Sequence, residues 1–146
     1  MSPAQRYAAF FAALEVDDLR GLEDVLSPEV RFVDPFNDVR GVAAVRAVFE
    51  HMFAVADEAR FEVLEVVEGE AVSYLRWRLH LHLRGERPGS APIEGVSRVV
   101  FDADGRVQEH VDYWDAAAGL YGRFPVIGGL MGWLRRRIAK AARRHR

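Results

Sequence analysis

The order of hydrophobic periods along this chain predicts an α+β domain. In it, three helices from the N-terminal half pack on a curved, mostly antiparallel sheet that encloses a cavity, and a basic helix follows at the C-terminus. Three observations carry this expectation. A helical period governs most of the first 56 residues, broken by one strand; a period of two governs the stretch from Arg60 to Trp114; and basic residues crowd into the last two dozen positions.

The opening "SPAQRYAAFFAALEVDD" supplies Ser2 and Pro3 for the N-cap and first helical position, then Tyr7, Phe10, Phe11 and Leu14 at helical spacing. In "DDLRGLEDVLSPEV" the Asp17–Asp18 pair is suited to capping a short second helix that carries Leu19, Leu22, Val25 and Leu26 and stops before Pro28. A strand, "EVRFVD", follows. Alternation along it places Asp34 on the face of Val30 and Phe32, so a carboxylate is aimed at the core side. "GVAAVRAVFEHMFAVAD" then puts Val42, Val45, Phe49, Met52, Phe53 and Ala56 on one helix face.

From Arg60 the pattern changes. "RFEVLEVVEGEAVSYLRWRLHLHLRG" reads as two strands joined near Glu68–Gly69, with Leu75, Trp77, Leu79 and Leu81 on one face of the second and Tyr74, Arg76, Arg78, His80 and His82 on the other. "EGVSRVVFDADGRVQEHVDYW" adds two strands around an Asp104–Gly105 hairpin turn. In the last strand alternation alone groups Val107, Glu109, Val111 and Tyr113 on one face and His110, Asp112 and Trp114 on the other; apolar content favours burying the first set.

The chain has 146 residues, half of them hydrophobic, which suits one domain with a core of its own. It has no cysteine, so disulfides, thiolate metal sites and thiol nucleophiles are excluded. The N-terminal stretch lacks the basic start, apolar run and cleavage site of a signal peptide, and no segment reaches the roughly 18 apolar residues of a membrane span; a cytoplasmic location is the expectation. Glycines in "GRFPVIGG" lack the Lys-Ser/Thr end of a phosphate loop, and Gly-x-Ser-x-Gly and HExxH motifs are missing. His80 and His82, two apart on the outer face, lack the third ligand a metal needs, so no metal site is expected.

The net charge of −2 conceals a division. Asp115 is the last acidic residue, while Arg123, Arg135, Arg136, Arg137, Lys140, Arg143, Arg144 and Arg146 follow it, leaving residues 1–122 at about −10. Residues 1–122 are therefore expected to form the domain, and 123–146 a basic amphipathic helix, part of that domain or appended to it. Its simplest reading is a surface helix that packs Ile127, Leu130, Leu134 and Ile138 on the body and solvates its arginines. Contact with an anionic membrane is the lesser reading. Without interleaved aromatic stacking residues, nucleic-acid binding is not expected.

The strings "QRY", "DDLRGLEDVLSPEVRFVDPF", "GVAAVRAVFEHMF" and "FDADGRV" together resemble the NTF2-like superfamily in its SnoaL-like and ketosteroid isomerase branch, over residues 5 to 115. The resemblance implies the cystatin-like cone of that superfamily and dimerisation through the sheet. It implies no cofactor. It carries the general-base role of the isomerases onto Asp34, whose "DP" follows "DL" at the family's spacing, and desolvation on an apolar face would raise that carboxyl and improve it as a proton acceptor. It places Tyr7 as a hydrogen-bond donor, with Phe10 the position reached by counting back from Asp18. For the isomerases' protonated aspartic acid, the string "APIE" suggests Glu94, whereas counting from the hairpin reaches Ser97, and the hairpin count is preferred.

The same count turns His110, Asp112 and Trp114 toward the cavity, where a His–Asp pair would face Asp34 as the proton-donating partner. Phe10, Phe36, Phe53, Trp77, Ser97, Val99 and Trp114 are the expected ligand-contact positions. The expected activity is cofactor-independent proton transfer of isomerase, cyclase or dehydratase type on a small apolar carbonyl or polyketide-like compound. The alternative is a non-enzymatic module of the same fold that binds a small ligand or a protein.

Overall fold

The computed structural model describes residues 1–123 and 125–144. Helix α1 (Pro3–Ala12) starts with reciprocal capping: Ser2 Oγ accepts from the Gln5 N–H at 3.2 Å while Gln5 Oε1 accepts from the Ser2 N–H at 2.9 Å. It buries Ala4, Tyr7, Ala8 and Phe11, so the core stripe runs through Tyr7 and Phe11. A 3-10 turn (Val16–Gly21) follows. Its N-cap is Glu15, and Asp18 Oδ2 accepts from the Glu15 N–H at 2.9 Å; the Asp17–Asp18 pair thus lies inside the turn it was expected to precede. One helical turn, α2 (Leu22–Val25), leads directly into β1 (Leu26–Val33).

The remaining elements are β2 (Asp38–Arg40), α3 (Val42–Val55), β3 (Ala56–Glu68), β4 (Ser73–Leu83), β5 (Ile93–Phe101), β6 (Val107–Trp114), the turn α4 (Ala116–Gly119), a 3-10 turn (Tyr121–Arg123) and α5 (Pro125–Arg144). The six strands form one sheet in the order β2-β1-β6-β5-β4-β3, antiparallel except for the β1–β6 pair. Strand β2 and the parallel pairing were not predicted. Both rest on contacts that no local pattern encodes. Strand β3 begins where α3 ends, several residues earlier than alternation indicated.

Departures from regular pairing bend this sheet. On β3, Ala56 and Glu58 pair with the adjacent Leu83 and His82, and Val63 and Glu65 with the adjacent Trp77 and Arg76, so Asp57 and Leu64 are each an extra residue. Such bulges add local twist and curl a sheet around whatever packs on its inner face. In β1 the ladder to β6 is interrupted between Leu26 and Arg31, the interval that holds Pro28, which has no N–H to donate.

The concave face carries the core. Leu75, Trp77 and Leu79 of β4, Ile93 and Val99 of β5, and Val30 and Phe32 of β1 are buried with Tyr7, Phe11, Leu22, Val45 and Phe49. The convex face is polar and pairs its charges internally: Arg78 with Glu94 at 2.7 Å, Arg98 with Glu109 at 2.7 Å, Arg31 with Asp38 at 2.9 Å and His80 with Glu62 at 2.8 Å. Hydrogen bonds from Arg78 and His80 hold the Glu94 and Glu62 carboxyls below their ordinary range. Among the described residues no helix is long and apolar enough to cross a membrane.

Candidate functional site

One structural irregularity decides what the last strand shows the cavity. Val107 pairs with Phe101 and Glu109 with the adjacent Val100, so Gln108 is an extra residue in β6. The bulge breaks alternation. Val107 is fully buried, and yet His110, at the opposite parity, is buried as well, 3% exposed, while Tyr113 is 59% exposed. His110, Asp112 and Trp114 therefore face inward, as counting from the hairpin indicated and simple apolar content did not.

The inward polar side chains form a continuous chain. Tyr7 Oη lies 2.7 Å from His110 Nδ1, His110 Nε2 lies 2.6 Å from Asp112 Oδ1, Ser97 Oγ lies 2.5 Å from the same Oδ1, and Trp77 Nε1 donates to Ser97 Oγ at 2.9 Å. The donor inventory sets its direction. Burial, and after it the negative charge of Asp112, push the Tyr7 hydroxyl well above its ordinary pKa, so it stays protonated. Its proton has one acceptor among the described residues, His110 Nδ1, which leaves the ring hydrogen on Nε2, pointed at Asp112. Ser97 receives from Trp77 and gives to Asp112. Every proton thus runs toward Asp112 Oδ1.

Asp112 Oδ2 has no hydrogen-bond partner among the described residues, and no described side-chain N or O atom is both fully buried and unpaired. That oxygen therefore opens into the cavity. Asp112 lies where two spaces join. A recess of about 20 Å³ reaches inward past Phe11, Leu75, Ser97 and His110, and a cavity of about 510 Å³ opens outward among Phe32, Phe49, Met52, Trp77, Leu79, Ile93 and Trp114.

Asp34 also lines the larger cavity, but from a turn that begins one residue after β1 ends. Its Oδ1 accepts from the backbone N–H groups of Phe36 at 2.8 Å and Asn37 at 2.7 Å and from Asn37 Nδ2 at 3.0 Å; Oδ2 accepts only from Asn37 Nδ2, at 3.1 Å. This is an Asx-type turn ahead of β2. Asp34 is both a turn former and a cavity wall.

The expected contact residues divide. Trp77, Trp114 and Phe36 line the larger cavity, Phe36 at the mouth with its ring 5.7 Å from those of Trp114 and Tyr121; Ser97 lines the recess. Three do not line either space. Phe10 packs edge-on against Phe11 and beside Gly21; Phe53 lies in a separate outer groove with Val16 and Glu50; Val99 is fully buried core. Helical and strand periodicity assign a face but not a depth along it, so residues on the inward side can still lie outside both spaces. Tyr7 lines no cavity either: its hydroxyl is spent on His110. Glu94, the competing position to Ser97, lies on the convex face bonded to Arg78.

Gly95 also shapes the site. A Cβ there would lie 2.5 Å from Trp77 Cη2 and Cζ2 and 3.1 Å from Trp114 Cβ. The missing side chain lets the Trp77 indole lie across its β5 partner and reach Ser97. A glycine inside an otherwise regular strand pattern is the signal that marks such a close approach.

The cavity mouth is closed on one side by Leu120 and Tyr121, and Arg123 pins that segment. Its guanidinium donates to Leu81 O at 2.7 Å, to Ala91 O at 2.6 Å and to Glu86 Oε1 at 2.9 Å, in a buried ion pair. Burial pushes the Glu86 carboxyl up, but donation from Ser90, from the Leu83 N–H and from Arg123 outweighs it and holds the group below the ordinary carboxylate range. Arg123, which charge counting assigned to the tail, is anchored to the body. The expected packing of α5 on the body is not found for Leu130, Leu134 and Ile138, which are exposed; the Ile127 side chain lies outside the described residues.

A half-open, strongly bent sheet with helices on its concave face and polar groups lining an apolar cavity defines the NTF2-like class. Within that class the chain belongs to the SnoaL-like domain family, whose sequence profile matches residues 7–110. Solved structures agree on the fold. An NTF2-like protein of unknown function from Burkholderia pseudomallei superposes with a TM-score of 0.68 at 23% identity over 81% of this chain and 95% of its own. An LEH-like epoxide hydrolase from M. tuberculosis gives 0.66 at 17% identity, covering 83% and 88%. A steroid delta-isomerase from Pseudomonas aeruginosa gives 0.60 at 22% identity, covering 96% and 91%. No curated protein matches the sequence significantly.

Proposed function

We propose that this protein is a cofactor-independent proton-transfer enzyme, of isomerase, cyclase or dehydratase type, acting on a small apolar carbonyl or polyketide-like compound, with Asp112 as the group that takes and returns the proton. The observation that carries the reading is the unequal state of the two Asp112 oxygens. Oδ1 is held by His110 and Ser97, while Oδ2 has no partner among the described residues and opens on a largely apolar cavity. A base fixed by one oxygen presents the other in a set direction, the geometry proton abstraction from carbon requires.

His110 and Tyr7 are positioning residues in this reading. Tyr7 fixes the tautomer of His110, which in turn orients Asp112 and shares the proton change on it. Asp34 is the second carboxylate on the same cavity and the base that the steroid isomerase resemblance favours; its oxygens are already engaged in the turn, which is why Asp112 is preferred. Trp114, Tyr121 and His51, which also line the cavity, are the remaining side chains with N–H or O–H groups available to a substrate oxygen. Family membership and neighbours named as a steroid isomerase and an epoxide hydrolase support a cofactor-free enzyme.

The test is deuterium incorporation from solvent into the acidic carbon positions of a panel of small cyclic ketones and enones, followed by NMR. Asp112→Asn is expected to lower exchange by about 10²-fold or more, and Asp34→Asn by less. If Asp34→Asn is the more damaging change, the base assignment moves to Asp34. If no ketone exchanges and a purified ligand is returned unaltered, the protein is a binding module.

A further inference from the structure

We propose that α5 is a docking helix for anionic lipid surfaces, which holds the cavity domain against a membrane without spanning it. The helix carries six Arg or Lys residues and no acidic one in twenty positions, while every acidic residue of the chain lies at or before Asp115. Four of its apolar side chains are exposed rather than packed on the body: Leu130 is 58% exposed, Trp133 51%, Leu134 44% and Ile138 62%.

The two chemistries lie on different faces. At about 100° per residue, Leu130, Leu134 and Ile138 fall in an arc of roughly 80°, and Arg136, Lys140 and Arg137 occupy a separate arc of roughly 100° that includes Trp133. The Arg137 guanidinium lies 5.4 Å from the Trp133 ring centre, so aromatic and cation stack within the charged face. A cationic amphipathic helix with a Trp among its cations suits the plane between headgroups and acyl chains, where apolar burial and attraction to anionic lipid add. Twenty residues make a rod of about 30 Å, enough to lie along the surface.

Two competing occupants fit less well. A nucleic acid would neutralise the cations but leave Leu130, Leu134 and Ile138 in water. A second copy has an acidic body, but on its convex sheet face the carboxylates of Asp38, Glu62, Glu94 and Glu109 are paired with its own Arg and His residues. That leaves the face little free charge for the helix.

The experiment uses the full chain with sedimented vesicles of phosphatidylcholine alone or mixed with phosphatidylglycerol, at low and high salt. Binding is expected only with phosphatidylglycerol, weakening as salt screens it. The triple change Arg136→Gln, Arg137→Gln, Lys140→Gln removes three charges and should lower partitioning about a hundredfold. The triple change Leu130→Ser, Leu134→Ser, Ile138→Ser should abolish it while leaving the thermal midpoint unchanged, since those side chains do not pack on the body. No sedimentation with phosphatidylglycerol vesicles, or equal sedimentation of wild type and both variants, overturns the proposal. So does a result in which the serine variant instead loses self-association measured by ultracentrifugation, or in which wild type leaves the vesicles for a short RNA or DNA duplex at equal charge.

Discussion

The Tyr7 hydroxyl lies 2.7 Å from His110 Nδ1, a bond between the first helix and the last strand across 103 positions of sequence. It ties α1 to His110, which lines the recess. Because Tyr7 can only donate there, the ring hydrogen of His110 lies on Nε2, the nitrogen that faces Asp112.

Replacing Tyr7 with Phe keeps the ring and removes the donor. His110 Nδ1 is left buried without a partner, at a cost of about 1–3 kcal/mol by chemical denaturation. The Nε2–H stays on Asp112, but Nδ1 loses its hydrogen bond, so the Nδ1 chemical shift should change in a long-range ¹H–¹⁵N spectrum. A loss of stability with unaltered ring nitrogens would assign Tyr7 to packing alone.

Gly95→Ala places a methyl group where the Trp77 indole lies. The ring must shift, and the Trp77–Ser97 bond at 2.9 Å goes with it. Overpacking of this kind costs about 1–3 kcal/mol. Tryptophan fluorescence should report the displaced indole, and pairing the change with Trp77→Phe should recover part of the stability.

Asp34 separates charge from turn formation. Asp34→Asn retains an Oδ1 acceptor for the Phe36 and Asn37 N–H groups and is expected to leave the denaturation midpoint nearly unchanged. Asp34→Ala leaves both without it and should cost about 1 kcal/mol. Equal stability of the two variants would show that the turn does not depend on this side chain.

The Arg123–Glu86 pair has a pH dependence of defined sign. Glu86 titrates below its unfolded value, so its stabilising contribution is full above about pH 4.3, the ordinary glutamate value, and is lost as pH falls through the lower folded value. Urea midpoints of wild type should therefore fall between pH 5 and pH 3 more steeply than those of Glu86→Gln. Arg123→Ala strands a buried carboxylate and should cost about 3 kcal/mol near neutrality.

Much of the fold was legible because each layer repeats a local signal. Tyr7 and Phe11 are one helical turn apart and both reach the core; Leu75, Trp77 and Leu79 alternate and all face inward. The site was less legible. His110, Asp112 and Trp114 were on the less apolar face of their strand, and only the hairpin count, not hydrophobicity, turned them inward. Ser97 was reached by the same count, though its bonds to Trp77 and Asp112 were not foreseen.

Composition, periodicity and turn chemistry by themselves determined the α+β class, the main helices and strands, and the division between an acidic body and a basic end. These are local or additive properties, readable a few residues at a time. The inward candidates on β6 needed the family resemblance, counted from the hairpin. Tertiary structure alone decided the parallel pairing of β1 with β6, the exclusion of Phe10, Phe53 and Val99 from the cavity, the capture of Arg123 by Glu86, and the relay from Tyr7 and Trp77 to Asp112. Each depends on the depth at which a side chain ends, and depth is set by curvature. The extra residue at Gln108 in β6 and those at Asp57 and Leu64 in β3 bend the sheet, and the bend brings distant polar atoms within hydrogen-bond reach.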